Sequence, residues 1–318
     1  MTDKQINRWL RRRFSAVGWV PFGYYVLMNL LVSLTIFLEE AKQMFSSLAW
    51  SGAVLEPDYD AIYGNAWGYV LSILVGLVIL WAWKGRDYWK REILLKNSQM
   101  RPGLFCCILL LCMGAQMVNS LWVTLLEAVL NVFGKSAIGM LETISGESDT
   151  FSMFLYASVL GPIGEEILFR GYALRSLRPF GKRFAIFGSA LLFGLFHGNL
   201  LQAPYAILMG LLLGYVAVEY SIGWAIGLHM FNNLVLADLL TRLTMNWSDM
   251  AYGILNLILF GGGFLASLVI LLRNRHGIRA YRQSEWMDRR CLKCFFTSSG
   301  ILVLTAIGLI GMGSLFFV

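Results

Sequence analysis

The sequence is poor in charge, in proline and in histidine. Charged side chains make up 14% of the 318 residues, and the chain contains only 6 prolines and 3 histidines. An average soluble domain carries about 25% charged residues, so the composition disfavours a water-soluble fold. The sequence also lacks the short alternating segments that are typical of a transmembrane β-barrel.

Hydrophobic residues are what the chain has in abundance. They make up 58% of the sequence, and apolar runs near 20 residues recur, the length that a helix needs to cross about 30 Å of hydrocarbon. The pattern predicts an all-α, polytopic transmembrane bundle of about nine spans, with about eight as the alternative count. The predicted spans cover residues 17–38, 66–83, 103–126, 151–177, 184–200, 204–222, 223–242, 250–272 and 297–318.

The net charge of +7 is distributed unevenly along the chain. All Lys and Arg except Lys42, Lys135 and Arg242 lie in the N-terminal segment, in alternate connections between the predicted spans, or, for Arg170 and Arg175, near the cytoplasmic end of the fourth span. The opposite connections are acidic. The positive-inside rule therefore predicts a cytoplasmic N-terminus and an external C-terminus. The basic residues are interpreted as topology signals that face the lipid bilayer, and no nucleic-acid partner is expected.

The five cysteines do not indicate a disulfide framework. Cys106, Cys107 and Cys112 fall in the third predicted span, and none of the five lies on the predicted oxidising side. Cys291 and Cys294 form a single C-x-x-C in a predicted cytoplasmic loop. Without a second pair this motif is weak support for zinc, and the two residues are interpreted as interfacial thiols.

Polar residues inside the predicted spans are concentrated in one stretch of the chain. Residues 151–242 hold them and are predicted to form a catalytic core. Residues 1–150 and 243–318 are predicted to be transmembrane scaffold helices on either side. The motifs "GLLLG", starting at Gly210, and "GWAIG", starting at Gly223, predict close helix packing within the core.

The segment "GPIGEEILFR", residues 161–170, places charge in an apolar helix. Each ionised group at mid-bilayer costs about 2.5–3.5 kcal/mol on translocon scales. Glu166 and Arg170 are spaced i, i+4 and are expected to pair on one face, whereas Glu165 is turned about 100° away from Glu166. Pro162 lacks a backbone donor, which is expected to free the carbonyl of Ser158 and to favour a kink before the pair.

Two further motifs follow on later spans. "FGLFH" places Phe193 and His197 on one face, and "HMFNN" places His229 and Asn233 on one face. Taken alone, a histidine or asparagine in a membrane helix usually bonds a neighbouring helix. The combination with two glutamates on three spans indicates a functional site. Intramembrane Glu and His also build proton relays, so a peptidase and a proton-coupled transporter both remain open.

Together the three motifs resemble those of the CAAX protease and bacteriocin-processing family of intramembrane peptidases. They are E-E-x-x-x-R at 165–170, F-x-x-x-H at 193–197 and H-x-x-x-N at 229–233. The family contains the type II CAAX prenyl proteases and many bacterial membrane proteins, some of them linked to bacteriocin immunity. The resemblance covers residues 151–242 and implies a membrane-associated peptide or protein substrate and location in a bacterial cell membrane.

The resemblance also implies a role for each motif residue. Glu165 would be the general base that activates water, and His197 would help to hold that water. His229 and Asn233 would stabilise the oxyanion of the tetrahedral intermediate. The supporting residues in the same motifs are Glu166 and Arg170, which would orient the first motif, and Phe193.

Whether the family uses zinc stays open at this point. Glu165, His197 and His229 could supply three ligands of an open zinc site, although their spacing is not H-E-x-x-H. A non-catalytic immunity or binding protein on the same fold is a second alternative. The transporter alternative is disfavoured because the sequence shows no paired halves of the kind that inverted repeats produce.

Overall fold

The computed structural model describes residues 2–136, 150–284 and 288–314, and within these ranges every regular element is a helix. The predicted all-α class is therefore confirmed. The helices are α1 (Asp3–Ser51), α2 (Tyr59–Tyr63), α3 (Trp67–Tyr88), α4 (Pro102–Val132), α5 (Phe151–Phe180), α6 (Lys182–Phe196), α7 (Ala203–Glu219), α8 (222–244), α9 (Asp249–Arg273), α10 (Arg275–Ser284), α11 (Arg289–Phe296) and α12 (Ser299–Ser314).

The number of helices long and apolar enough to span a membrane is five within the described residues, or six if the bent pair α11 and α12 counts as one span. The predicted count of about nine is not confirmed. Two of the predicted spans correspond to α6 and α7, which contain only 15 and 17 residues. A straight crossing needs about 20 residues. The chain is nevertheless an integral membrane protein by its long apolar helices.

The first helix is longer than the predicted span at 17–38. It runs for 49 residues, or about 73 Å, so its ends reach beyond the hydrocarbon. A capping box between Thr2 and Gln5 begins it, and Gly52 ends it in the left-handed region at φ 70°. Gly52 suits this position because it has no Cβ to clash there.

Glycines set the closest helix contact in the core. A Cβ on Gly210 would lie 2.8 Å from the Cα of Ala190, and one on Gly214 would lie 3.2 Å from Ile186. The packing predicted from "GLLLG" is therefore confirmed, with α7 against α6. The same prediction is wrong for "GWAIG", because a Cβ on Gly227 would meet nothing within 4 Å.

Three π-helical segments interrupt α5 and α8 around the polar residues: Leu155–Leu160, Ile167–Leu174 and Asn232–Leu239. In a π-helix the donor comes from five residues ahead rather than four. In that register Pro162, which has no N–H, would face the carbonyl of Ala157. The prediction that Pro162 frees Ser158 is thus wrong by one residue, because it assumed regular α-helical bonding.

An ion pair and two buried thiols contribute to helix packing at the end of the bundle where basic residues cluster. Lys182 on α6 lies 3.2 Å from Glu219 on α7, and the Tyr281 hydroxyl on α10 lies 3.0 Å from the same carboxylate oxygen. Cys291 and Cys294 are buried on α11, which packs against α1. These two thiols are thus part of the packed interior and do not face the membrane surface.

Candidate active site

Glu166 and Arg170 form the charged pair that their spacing predicted. Glu166 Oε1 lies 2.8 Å from Arg170 Nη1, and both side chains are fully buried. The Arg170 guanidinium also lies over the ring of Phe193, 4.4 Å from its centroid. The neighbouring Glu165 faces another direction, and its side chain is 21% exposed. The two adjacent glutamates therefore occupy different environments.

His229 on α8 contacts both glutamates. Its Nδ1 lies 2.9 Å from Glu166 Oε1, and its Nε2 lies 3.7 Å from Glu165 Oε2. An ionised carboxylate only accepts hydrogen bonds, so Nδ1 carries a hydrogen and donates it to Glu166. This bond fixes the ring and directs Nε2 towards Glu165. Glu166 thus orients His229, a connection between α5 and α8 that the sequence motifs did not reveal.

His197 lies at the C-terminal end of α6. Its Nδ1 is 2.8 Å from the carbonyl oxygen of Phe193, so Nδ1 donates and the Nε2 of the neutral ring is left as an acceptor. The Phe193 ring packs edge-on against both histidines, with centroid distances of 4.8 Å to His197 and 5.8 Å to His229. Phe193 thus contacts both histidines, and its supporting role stays a prediction.

Asn233 belongs to a network of hydrogen bonds that joins α4, α5, α7 and α8. Its Nδ2 donates to the carbonyl of Ala157 at 3.0 Å, and its Oδ1 accepts from Asn232 Nδ2 at 3.0 Å. Asn232 Oδ1 accepts from the Tyr205 hydroxyl at 2.6 Å and from Gln116 at 3.3 Å. Sequence reasoning missed Asn232, Tyr205 and Gln116. The doubled asparagine in "HMFNN" was the available signal.

A cavity of about 740 Å³ brings the predicted catalytic residues together. Glu165, His197, His229 and Asn233 all line it, whereas Glu166 and Arg170 lie behind its wall. The rest of the lining is contributed chiefly by α5, α7 and α8 and contains further polar side chains. These polar lining residues are Gln116, Tyr156, Ser158, Gln202, Tyr205, Asn232, Asp238, Thr241 and Arg242.

The geometry does not fit the zinc site that the sequence left open. Among the residues that the structure describes, no group of three or more His, Cys, Asp and Glu side chains is arranged to hold a metal ion. Zinc ligands lie about 2.0–2.2 Å from the ion. Of the three candidate ligands, Glu165 and His229 lie together, with 3.7 Å between Glu165 Oε2 and His229 Nε2.

Comparison with known families gives a match to one segment of the chain. Residues 147–235 match the family described as Rce1-like, type II CAAX prenyl endopeptidase. No curated protein and no solved structure matches the chain. The matched segment is less than a third of the chain, and it contains all three motifs and every residue of the site that sequence reasoning had singled out. This segment is thus similar to the CAAX protease family, which supports the family that the three motifs predicted.

Proposed function

We propose that this protein is an intramembrane endopeptidase that hydrolyses a peptide bond of a membrane-associated protein or peptide. The observation that carries the proposal is that Glu165, His197, His229 and Asn233, drawn from three helices, line one cavity inside an apolar bundle. Proteolysis is the activity of the matched family, and it uses these residue types in complementary roles. Residues 151–242 act as the catalytic core, and the flanking helices act as scaffold.

The charges of the site balance when one proton is shared by Glu165 and His229. Glu166 is compensated by Arg170 at 2.8 Å. With Glu165 ionised and His229 protonated, the group of four has no net charge, which apolar surroundings favour. In this state Glu165 can accept a proton, and His229 Nε2–H can donate a hydrogen bond.

The first chemical step follows from these orientations. A water molecule in the cavity donates one hydrogen bond to His197 Nε2 and its other proton to Glu165. The water oxygen then attacks the substrate carbonyl carbon. The oxyanion that forms accepts hydrogen bonds from His229 Nε2–H and from the second hydrogen of Asn233 Nδ2, whose first hydrogen bonds Ala157.

The second step returns the proton to the leaving group. Glu165, now a carboxylic acid, donates its proton to the amide nitrogen while the carbon–nitrogen bond breaks. The water oxygen remains on the new carboxyl group, and the amine leaves with the transferred proton. No step requires a metal ion or a covalent enzyme intermediate, and Glu166 keeps His229 oriented throughout.

The test is peptidase activity of the purified chain in liposomes that contain a membrane peptide library. The wild type should cleave at least one peptide, with and without chelator, and Glu165→Gln should lower turnover by about 10²–10⁴-fold. Glu56→Gln, at an exposed glutamate outside the cavity, is the matched control. Equal turnover of Glu165→Gln would contradict the general-base role. Proton-coupled uptake that Glu165→Gln abolishes, without cleavage, would favour a transporter.

A further inference from the structure

A second cavity lies on the other side of α5, between α1 and α3. It has a volume of about 370 Å³ and is lined by apolar side chains and by the glycines Gly23, Gly76 and Gly164. We call it the α1–α3 groove. Two of its wall residues, Trp19 and Trp83, are 42% and 56% exposed. Because these exposed rings lie on the apolar surface of the bundle, the groove is accessible from the lipid.

Absent side chains create this groove. A Cβ on Gly23 would meet nothing within 4 Å, so any side chain added there would enter open space. A Cβ on Gly76 would lie 2.9 Å from the Tyr24 ring, and one on Gly164 would lie 3.1 Å from Ile73. The Gly23 position is therefore the open one, while the other two allow α1, α3 and α5 to approach each other.

The groove has the length of one membrane leaflet. Its α3 wall runs from Ile73 to Trp83, a rise of ten helical steps or about 15 Å. Half of the hydrocarbon thickness is also about 15 Å. Trp19 and Trp83 lie at the end of the groove nearer to the basic connections, where tryptophan is typically found in membrane proteins. A single acyl chain of one leaflet matches these dimensions.

A lysine lies at that same end. Lys84 Nζ lies 4.0 Å from the centroid of the Trp83 ring, 4.9 Å from that of Tyr172 and 5.4 Å from that of Tyr88. Within the part of the chain that the structure describes, no carboxylate lies within ion-pair distance of it. Regular helix geometry is interrupted directly after it, at Gly85 with φ 74°, where α3 kinks. The ammonium is held by aromatic faces and keeps its capacity to bind an anion.

We propose that the α1–α3 groove binds one anionic phospholipid. The phosphate lies against Lys84, and one acyl chain lies along Gly23 and Gly76. Basic pockets between membrane helices are suited to anionic headgroups. Trp83 joins the two parts, since it lines the groove and also contacts Lys84. The proposal is independent of the peptidase chemistry, because the catalytic side chains face the other cavity.

The test is native mass spectrometry of the delipidated full-length chain, titrated with phosphatidylglycerol or phosphatidylcholine of the same acyl chains. One phosphatidylglycerol should bind, with about fivefold preference, the effect of one basic residue near the headgroup. Lys84→Gln should abolish the preference, and Gly23→Leu should abolish binding of both lipids. Equal affinity of the wild type for both lipids would overturn the proposal.

Matched controls separate the groove from general surface effects. Lys90→Gln removes a charge from an exposed position after α3, and Gly253→Leu adds a side chain where a Cβ would also meet nothing within 4 Å. Neither should change lipid binding, and the same loss in either control would overturn the proposal. If Gly23→Leu does not fold, Val20→Phe fills the groove from the same helix.

A competition experiment distinguishes a resident lipid from a substrate chain. A prenylated peptide should not displace phosphatidylglycerol from the wild type, since the groove is separated from the catalytic cavity by α5. One-for-one displacement, together with a raised KM for that peptide in Gly23→Leu, would assign the groove to substrate and overturn the lipid proposal.

Discussion

Gly164 and Glu165 are neighbours in the chain and line two different cavities. Gly164 forms part of the apolar α1–α3 groove, and Glu165 forms part of the catalytic cavity. A turn of about 100° between successive helical residues separates the two faces. The comparison shows that α5 separates a polar cavity from a groove that mainly apolar side chains line.

The two faces also differ in how charge is accommodated. Behind the catalytic cavity, Glu166 is bonded to both Arg170 and His229 and has no contact with solvent. At the groove, the positively charged Lys84 lies at one end and rests on aromatic rings. The charge buried behind the catalytic cavity is thus accompanied by oppositely charged partners. A shift of one residue along α5, from Gly164 to Glu165, moves a position from the groove to the catalytic cavity.

The largest effect on stability is expected from Glu166→Gln. It leaves Arg170 buried without its ion-pair partner, a loss of about 3–5 kcal/mol when a buried pair is broken. Glu165→Gln should leave stability unchanged or improved, because the Glu165 side chain is 21% exposed and its ion-pair contact with His229 is long, at 3.7 Å. Thermal unfolding in detergent and turnover should be measured for both variants. If Glu165→Gln were the unstable variant and Glu166→Gln the stable, inactive one, the roles would be reversed.

Asn233→Ala should act on the reaction rather than on the fold. Loss of one oxyanion donor should lower kcat by about 10²–10³-fold, or about 2.7–4 kcal/mol, with KM little changed. Asn256→Ala is a matched control, because Asn256 also donates to a helix carbonyl, that of Tyr252 at 2.9 Å, but lies on α9 outside the cavity. A rise in KM at constant kcat would instead place Asn233 in substrate binding.

Tyr205→Phe, in the same catalytic cavity, should lower turnover less than Asn233→Ala does. It removes the hydroxyl that bonds Asn232 at 2.6 Å, a change of about 0.5–1.5 kcal/mol. If this network positions Asn233, kcat should fall by up to about tenfold, and combining the change with Asn233→Ala should add little further loss. Tyr252→Phe, on the exposed face of α9, serves as the control. Full additivity of the two losses would separate the network from Asn233.

Gly164→Ala should have the smallest effect. A helix-interior alanine gains about 0.8–1.0 kcal/mol over glycine, and the new Cβ must displace Ile73, from which it would lie 3.1 Å. The two contributions oppose each other, so unfolding free energy should change by no more than about 1 kcal/mol, and turnover should be retained. A loss of turnover as large as that of Glu165→Gln would show that the two faces of α5 are coupled.

Local patterns were predictable from the sequence and distant contacts were not. The Glu166–Arg170 pair follows from i, i+4 spacing within one helix, and the structure confirms it. The bond from His229 to Glu166 joins residues 63 positions apart, which no local rule specifies. Apolar runs located α6 and α7 correctly, but hydrophobicity alone does not tell a short buried helix from a full span. The carbonyl that Asn233 bonds depended on π-helical register, which residue spacing does not reveal.

The π-helical segments have a consequence for how this protein tolerates changes in chain length. Each π-helical turn contains about one residue more than an α-helical turn. Removing one residue there can restore regular bonding and leave the faces on either side in place. The same deletion in the α-helical Gly161–Glu166 stretch would rotate one half of α5 by about 100° relative to the other. Single-residue insertions and deletions among related proteins should therefore collect at 155–160, 167–174 and 232–239.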